Sequence, residues 1–306
     1  MPRGVRYSRL PTEQRHPKTR TLDQLSVTAY VDMMIREEDC VVRAIRRQRA
    51  SIARAVRLIT ARLRDDGRLI FVGAGTSGRL GVIEAAECPP TFHTPPSLVQ
   101  AIIAGGPRAV FRSQEGAEDD RRRARHAMAR RIRASDVVVG ISASGVTPFV
   151  DEALRVAARR GARTILITCH VRPLIRAQVT IPLSVGPEVL TGSTRLKAGT
   201  ATKLVLNMLT LGSMVQLGKT YGNLMVDVRP TSRKLRARAV RIIQTVTGCS
   251  LASAADALRR ARGRVKVAIL MQQCRLSDRA ALYALHRAHG SLRLALQPLA
   301  SSLHHR

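Results

Sequence analysis

Two short turns in the sequence carry residues suited to binding a phosphate group. Residues 73–78 read GAGTSG and residues 142–147 read SASGVT, and each turn follows an apolar run and opens a helical pattern. Backbone N–H groups at a helix start, together with Ser and Thr hydroxyls, suit the terminal phosphate of a small molecule. Two such turns favour a phosphate site over ordinary helix caps. The candidate ligands are Gly75, Thr76, Ser77, Gly78, Ser142, Ser144, Gly145 and Thr147.

The first turn also satisfies GxGxxG, the pattern of dinucleotide-binding domains. A dinucleotide site places an acidic residue at the end of the second strand, where it binds the ribose. This chain has Ala104, Gly105 and Gly106 at that position. The turn therefore indicates a small phosphorylated ligand and not a dinucleotide.

The elements that must position these turns form an alternating pattern. Short apolar runs predict strands at residues 68–72, 98–103, 137–141, 164–168 and 179–185, with helical stretches such as 147–160 between several of them. The alternation predicts an α/β fold, a doubly wound parallel five-stranded sheet with helices on its faces. In such sheets ligands bind at the carboxyl ends of the strands, where both turns lie.

Helical patterns flank the predicted sheet on both sides. Apolar residues recur at three- and four-residue spacing over 22–64, which predicts helical structure there, and further helices are expected over 197–217 and 232–246. The stretch 250–297 predicts three short helices, with Gly263 and Gly290 as breakers. We divide the chain into an N-terminal helical segment (1–64), a phosphate-binding domain (65–230) and a C-terminal helical tail (231–306).

The net charge of +31 raises the question of a nucleic-acid partner. Of the 52 basic residues only six are Lys and 46 are Arg, and they are spread along the chain. This skew is typical of a GC-rich coding sequence, and at 3% aromatic residues the chain has few side chains on which bases could stack. We therefore expect no nucleic-acid partner, although the charge favours anionic substrates.

Cysteine usage and the absence of long apolar runs bear on location. The five cysteines are scattered without a CxxC pair, which fits a reducing compartment and neither a disulfide framework nor a zinc site. Residues 1–20 lack the apolar segment of a signal peptide, and no apolar run approaches the roughly 20 residues of a membrane span. The sequence predicts a cytoplasmic protein without a membrane partner.

Longer motifs carry a resemblance to a known family. They include TEQR at 12–15, GAGTSGRLG at 73–81, ECPPTF at 87–92, EGAED at 115–119 and VGPEVLTGSTRLKAGT at 185–200. In this order, over about residues 8 to 298, the chain resembles the SIS (sugar isomerase) family. Within it, the chain is similar to the N-acetylmuramic acid 6-phosphate (MurNAc 6-phosphate) etherases and to the glucokinase regulatory protein.

The resemblance implies a lyase that splits the D-lactyl ether of MurNAc 6-phosphate into GlcNAc 6-phosphate and D-lactate. It places the two catalytic carboxyl groups at Glu87 and Glu118, with Glu87 as the acid that assists lactate departure and Glu118 as the base at C2. The two roles are open to exchange. Glu84 and Glu115 are lower-ranked substitutes for the pair.

The local sequence gives each glutamate a setting. Pro89 and Pro90 predict that the helix starting near Ser77 ends at Glu87, close to the loop edge of the sheet. Glu118 falls in a Gly-containing turn before an Arg-rich helical stretch. One of the two carboxyl groups must have a raised pKa to act as an acid near neutral pH.

Other conspicuous residues are further candidates. Glu188 is expected to touch the sugar or its open-ring hydroxyls. Arg79, Arg195 and Lys197 are candidates for binding the phosphate or the lactyl carboxylate, with a structural role for each left equally open. No cofactor and no metal is expected. The resemblance implies a homodimer in which the N-terminal helices or the Glu118 region complete the partner's site.

Three alternatives to the etherase remain open. They are a non-catalytic sugar-phosphate sensor that resembles the glucokinase regulatory protein, a DNA-binding regulator with a SIS domain, and an aldose–ketose isomerase. Val146 and residues 170–173 depart from the family pattern beside the expected pocket, which bears on substrate choice.

Overall fold

The computed structural model of the chain describes residues 7–301, apart from the side chains of residues 9 and 298–301. Its centre is one sheet of five parallel strands in the order β2-β1-β3-β4-β5. The strands are β1 (Leu69–Gly73), β2 (Val99–Ile103), β3 (Val137–Ile141), β4 (Arg163–Thr168) and β5 (Val179–Pro182). The predicted α/β fold with a five-stranded parallel sheet is confirmed.

The strand β5 is shorter than the predicted 179–185. Leu183 N–H bonds to the carbonyl of Thr168, which is the last residue of the neighbouring strand β4. Beyond this bond the edge strand has no partner left with which to pair, so the ladder ends although the apolar pattern continues.

The chain forms two compact units. Among the described residues, the first comprises 7–86 together with Pro96–Thr210, and the second comprises Glu87–Pro95 together with 211–301. The helices that begin in the first unit are α1 (Val27–Arg47), α2 (Arg49–Arg64), α3 (Gly75–Phe92), α4 (Arg108–Phe111), α5 (Arg121–Ala129), α6 (Pro148–Arg159) and α7 (Lys197–Gln216).

Helices cover the sheet of the first unit on both faces. Ile70 and Val72 of β1 share a buried cluster with Met128 of α5 and Leu154 of α6. Phe71 points to the opposite face, because its Cβ is the nearest atom that a side chain added at Gly81 of α3 would meet. Strands buried on both faces explain the nearly continuous apolar runs in the sequence.

The helical pattern predicted over 22–64 corresponds to one short turn and two helices. Leu22–Gln24 forms a separate 3₁₀ turn, and α1 begins after Ser26, whose hydroxyl accepts a hydrogen bond from Ala29 N–H. Gln48 interrupts the path with φ −99° and ψ 11°, so α1 and α2 are distinct. A break of one residue leaves the three- and four-residue spacing of apolar positions nearly unchanged, and the pattern therefore concealed it.

The second unit contains a helical cluster. It consists of α8 (Arg233–Thr247), α9 (Leu251–Arg260), α10 (Val265–Gln273), α11 (Asp278–Arg287) and α12 (Leu292–Ser301). Four of these helices cover the region for which three were predicted. The breakers Gly263 and Gly290 do separate helices, each with a φ near +78°, but the additional break around Arg275 was missed because it uses no glycine. No helix among residues 7–301 is long and apolar enough to cross a membrane.

Candidate active site

The two glycine turns lie side by side at the carboxyl edge of the sheet. Strands β1 and β3 are neighbours, with Gly73 aligned to Ile141, so the turns that follow them are adjacent. Helix α3 begins at Gly75 within the first turn, and α6 begins at Pro148 directly after the second. The structure thus brings together the two groups of residues that the sequence singled out for a phosphate.

Close packing explains the glycines of the first turn. A Cβ added at Gly73 would lie 2.6 Å from the backbone nitrogen of Gly78, and one added at Gly78 would lie 2.5 Å from Cγ1 of Ile103. The start of α7 is close as well, since a Cβ at Gly199 would lie 3.8 Å from Cγ2 of Thr76. Thr76 therefore lies where the first turn meets the N-terminus of α7.

Hydroxyl groups hold the second turn in shape. The Oγ atom of Ser142 lies 2.8 Å from Oγ1 of Thr147 and accepts a hydrogen bond of 3.1 Å from Gly145 N–H. Ser144 Oγ accepts a longer bond of 3.4 Å from Val146 N–H. No side chain caps the start of α6, so its first N–H groups are not occupied by a capping residue.

The segment that departs from the family pattern packs against this second turn. Gly145 has φ +71°, and a Cβ added there would lie 2.8 Å from Cβ of Pro173 and 3.2 Å from Cβ of His170. The backbone N–H groups of Leu174 and Ile175 both donate to the carbonyl of Gly145. Residues 170–173 therefore support the second turn. Val146, the other residue that departs from the pattern, is buried.

Glu118 lies in a short 3₁₀ turn, Ala117–Asp119, that follows Gly116 at φ +71°. It lines a cavity of about 150 Å³ together with Gly75 of the first turn and with Glu115. Burial raises the pKa of Glu118, and the negative charges of Asp119, Glu115 and Glu13 raise it further. A carboxyl group in such a setting suits proton transfer near neutral pH.

The prediction that Glu87 ends its helix is wrong. Helix α3 continues through Pro89 and Pro90 to Phe92, and its last turn is closed by a hydrogen bond of 3.0 Å from His93 N–H to the carbonyl of Pro89. Glu87 is exposed inside this helix and belongs to the second unit. Glu118 belongs to the first unit.

Glu188 and Lys197 have protein partners. The buried carboxylate of Glu188 accepts hydrogen bonds of 3.1 and 2.9 Å from the N–H groups of Lys197 and Ala198, which start α7. Burial raises the pKa of Glu188, against the lowering effect of these two bonds and of the Lys197 charge. The carboxylate occupies the positive end of the helix, where an anion is most favourable.

The ammonium group of Lys197 is part of a second buried polar cluster. Its Nζ lies 2.8 Å from Oε2 of Glu37, and Nε2 of His16 lies 3.0 Å from the same oxygen. Glu37 was not singled out from the sequence, because its spacing on α1 is that of an ordinary charged helix residue. The side chain of Lys197 is only 2% exposed, so the protein covers most of the surface at which a ligand could reach it.

The two substitutes for the catalytic pair differ in their surroundings. Glu84 is buried in α3 and accepts hydrogen bonds from Asn207 Nδ2, at 2.7 Å, and from the hydroxyl of Thr210. Glu115 lines the same cavity as Glu118. Among residues 7–301, no three or more His, Cys, Asp and Glu side chains are grouped so that they could hold a metal ion.

Comparisons with known proteins agree with the fold and specify the family. Residues 51–158 match the model of the glucokinase regulatory protein N-terminal SIS domain, and residues 117–212 match that of the SIS domain. A solved structure of an Escherichia coli CFT073 protein shares the fold, with a TM-score of 0.50 and 17% identity over 65% of this chain and 97% of that one.

Curated relatives match almost the whole chain. The N-acetylmuramic acid 6-phosphate etherase of Gloeobacter violaceus is 52% identical over 95% of this chain and 96% of its own length. The protein of the same name from Geobacillus thermodenitrificans is 48% identical over 94% of this chain and 99% of its own length. At this identity and coverage, the chain belongs to the N-acetylmuramic acid 6-phosphate etherase family.

Proposed function

We propose that this chain is a MurNAc 6-phosphate etherase, a carbon–oxygen lyase of cell-wall amino sugar recycling. It converts MurNAc 6-phosphate and water into GlcNAc 6-phosphate and D-lactate. The observation that carries the proposal is the similarity to the Gloeobacter violaceus etherase, 52% identity over 95% of this chain. The adjacent glycine turns and the cavity lined by Glu118, both in the first unit, support the proposal because they offer a place for the phosphate and one of the two carboxyl groups.

The first half of the reaction is an elimination from the open-chain sugar. The proton on C2 is acidic because it lies next to the aldehyde, and the lactyl ether oxygen on C3 is a β leaving group. Glu118 as carboxylate takes the C2 proton, the C–H electrons form the C2–C3 double bond, and the C3–O bond breaks. Glu87 as carboxylic acid protonates the departing oxygen, which leaves as the hydroxyl of D-lactate.

The second half is the addition of water to that double bond. Glu87, now a carboxylate, takes a proton from water while the water oxygen bonds to C3. Glu118 returns its proton to C2, and both groups regain their starting protonation states. The sum consumes one water and needs no oxidant, reductant or cofactor.

The raised pKa of Glu118 suits either role of the pair, because it also favours the protonated form, and the family resemblance assigns this residue as the base. A carboxylate with its pKa raised by burial and by neighbouring carboxylates is a stronger base than an exposed glutamate. The C2 proton is only weakly acidic, so transfer to a stronger base lowers the barrier. The assignment of Glu87 rests on the family resemblance alone.

The phosphate group is proposed to bind at the two glycine turns. The start of α6 has no capping side chain, and the hydroxyls of Ser142, Ser144 and Thr147 line the turn before it. Backbone N–H groups and the positive end of a helix dipole favour a dianion at such a position. Thr76 and Ser77 at the adjacent start of α3 would contribute from the other side.

A homodimer is proposed from the surface of α1. Val27, Val31, Ile35 and Val42 recur along one face of this helix and are exposed, Ile35 to 63%. Such a row of apolar side chains is unfavourable in water and suits burial against a second copy of the chain. In sedimentation velocity, Ile35→Asp is expected to yield a monomer, whereas Leu251→Asp on α9 leaves the association unchanged; a monomeric wild type would contradict the proposal.

A cytoplasmic location is proposed from the cysteines. All five cysteines, which lie within residues 7–301, are free thiols, as is usual in a reducing compartment. The amino sugar phosphates on which such an enzyme acts are retained inside cells by their charge.

The test of the function is release of D-lactate from MurNAc 6-phosphate by the purified protein. Wild type is expected to release D-lactate and GlcNAc 6-phosphate in equal amounts. Glu87→Gln and Glu118→Gln are expected to lose release of D-lactate, whereas Asp256→Asn, a control at a partly exposed side chain of α9, retains it. A wild type that binds the sugar phosphate without releasing lactate would favour the sensor, the main alternative.

A further inference from the structure

Arg79 directly follows the first glycine turn, one helical turn after the start of α3 at Gly75, and lines the same cavity as Glu118. Its Nε donates a hydrogen bond of 2.9 Å to the carbonyl of Val110, which fixes the plane of the guanidinium. Within the described residues no carboxylate lies within salt-bridge distance of Arg79. The two terminal nitrogens therefore remain available for a ligand.

The charges around this cavity are otherwise negative. Glu115 and Glu118 line it, and Asp119 and Glu13 are close enough to raise the pKa of Glu118 by repulsion. Arg79 is the one cationic side chain among the described lining residues. An anionic ligand that enters the cavity would be repelled unless it pairs with this guanidinium.

We propose that Arg79 binds the lactyl carboxylate of the substrate and thereby selects lactyl ethers over sugars without that group. The proposal rests on the proposed function. The lactyl carboxylate is attached through one carbon to the ether oxygen on C3, which neighbours the C2 atom on which Glu118 acts. It must therefore come close to the base, and the planar fork of an arginine matches a carboxylate with two parallel hydrogen bonds.

The two other cations that the sequence offered for this role are less suited to it. Lys197 is buried and its ammonium group is held by Glu37 at 2.8 Å. Arg195 is exposed and does not line the cavity of Glu118. Arg79 alone combines a position in that cavity with unoccupied guanidinium nitrogens.

The experiment compares two ligands that differ only in the lactyl group. Steady-state kinetics on MurNAc 6-phosphate are measured for wild type, Arg79→Gln, Arg79→Lys and the control Arg108→Gln, an exposed arginine of α4 that does not line the cavity. Inhibition by GlcNAc 6-phosphate, which lacks the lactyl group, is measured in parallel. Thermal denaturation of each variant reports on folding.

The expected result for Arg79→Gln is a fall in kcat/KM of about 10- to 100-fold, the range for a lost hydrogen-bonded charge pair. The inhibition constant of GlcNAc 6-phosphate stays within about twofold of wild type. Arg79→Lys recovers part of the loss because the charge remains without the fork, and Arg108→Gln behaves as wild type. Equal weakening for both ligands, or no change for either, overturns the proposal.

A second measurement does not depend on turnover. Calorimetric titration compares Glu118→Gln with the double variant Glu118→Gln/Arg79→Gln for MurNAc 6-phosphate and for GlcNAc 6-phosphate. The proposal requires the added change to weaken only the lactyl ligand. A wild type that releases no D-lactate would remove the proposed function, whereas this titration would still decide the role of Arg79.

Discussion

Replacement of Lys197 by Met should destabilise the protein strongly, because this residue is the cation of a buried cluster. Lys197 is 2% exposed, and its ammonium lies 2.8 Å from Glu37, whose side chain is 18% exposed. Met keeps most of the volume of the stem but leaves the Glu37 carboxylate with only His16 beside it. Removal of one partner from a buried ion pair costs about 3–5 kcal/mol of stability. Because Glu37 is partly exposed, the expected loss in the free energy of unfolding is about 3 kcal/mol.

The assay is thermal denaturation of wild type, Lys197→Met, Glu37→Gln and the double variant. At about 2–4 °C per kcal/mol for a chain of this size, Lys197→Met should melt roughly 6–12 °C below wild type. The double variant should recover part of this loss because no unpaired charge remains. A melting temperature within about 2 °C of wild type, combined with a raised KM, would refute the stabilising role of the cluster. It would indicate instead that Lys197 contacts the substrate.

The same cluster predicts a pH dependence of stability. Burial acts to raise the pKa of Glu37, but the hydrogen bond and charge of Lys197, together with His16, outweigh it and hold the pKa below the usual 4.5. A carboxyl group whose pKa is lowered on folding stabilises the fold above its unfolded pKa, and this contribution is lost as the pH falls through the folded pKa. The gap in melting temperature between wild type and Lys197→Met should therefore narrow below about pH 4.5.

Three further changes test other parts of the molecule. Glu115→Gln removes a negative charge that raises the pKa of Glu118, so the acid limb of the kcat/KM profile should move to lower pH; an unmoved limb would argue against Glu118 as the base. Gly145→Ala forces a side chain at φ +71° against Pro173. It should lower the free energy of unfolding by about 1–3 kcal/mol, measured by denaturation, and raise KM, measured by steady-state kinetics. Lys266→Met removes the buried ammonium that binds Asp227 and the carbonyls of Gly218 and Gly290. Asp227 keeps its longer pair with Lys219, so the change should cost about 3 kcal/mol in chemical denaturation.

The sheet could be predicted because its signals are local. The three central strands β1, β3 and β4 are mostly buried apolar runs. Asp136 and Ser142 flank β3, which was predicted at its observed limits. The turn after β1 could be recognised because Gly73 and Gly78 are required by the close approach of strand and helix. Each of these features is encoded within about ten residues of sequence.

The helix that carries Glu87 could not be predicted from such local rules. Pro89 and Pro90 normally end a helix, because a proline removes one backbone N–H and crowds the preceding turn. Here Cys88 and Phe92 are both buried, and continuing the helix through the prolines places them on one face. Burial of the Cys88 and Phe92 side chains outweighs the free-energy cost of the two prolines in the helix.

The cluster of His16, Glu37 and Lys197 shows a second limit of sequence reasoning. Glu37 and Lys197 are 160 positions apart in the chain, and either one alone is an ordinary charged residue of a helix. Only the packing of α1 against the start of α7 makes them a pair. The sequence therefore assigned Lys197 to the substrate, whereas its position favours a structural role that supports the site.

The start of α7 bears on where the phosphate must bind. Three helices of the first unit, α3, α6 and α7, begin at or beside the carboxyl edge of the sheet, and the positive end of each could attract an anion. The carboxylate of Glu188 already occupies the start of α7 and accepts the N–H groups of Lys197 and Ala198. A second anion there would face the Glu188 charge at close range, so the dianionic phosphate is directed to the adjacent starts of α3 and α6. Glu188 thus excludes the phosphate from one of the three helix starts. Glu188→Gln should destabilise the start of α7 more than it lowers the affinity for the sugar phosphate.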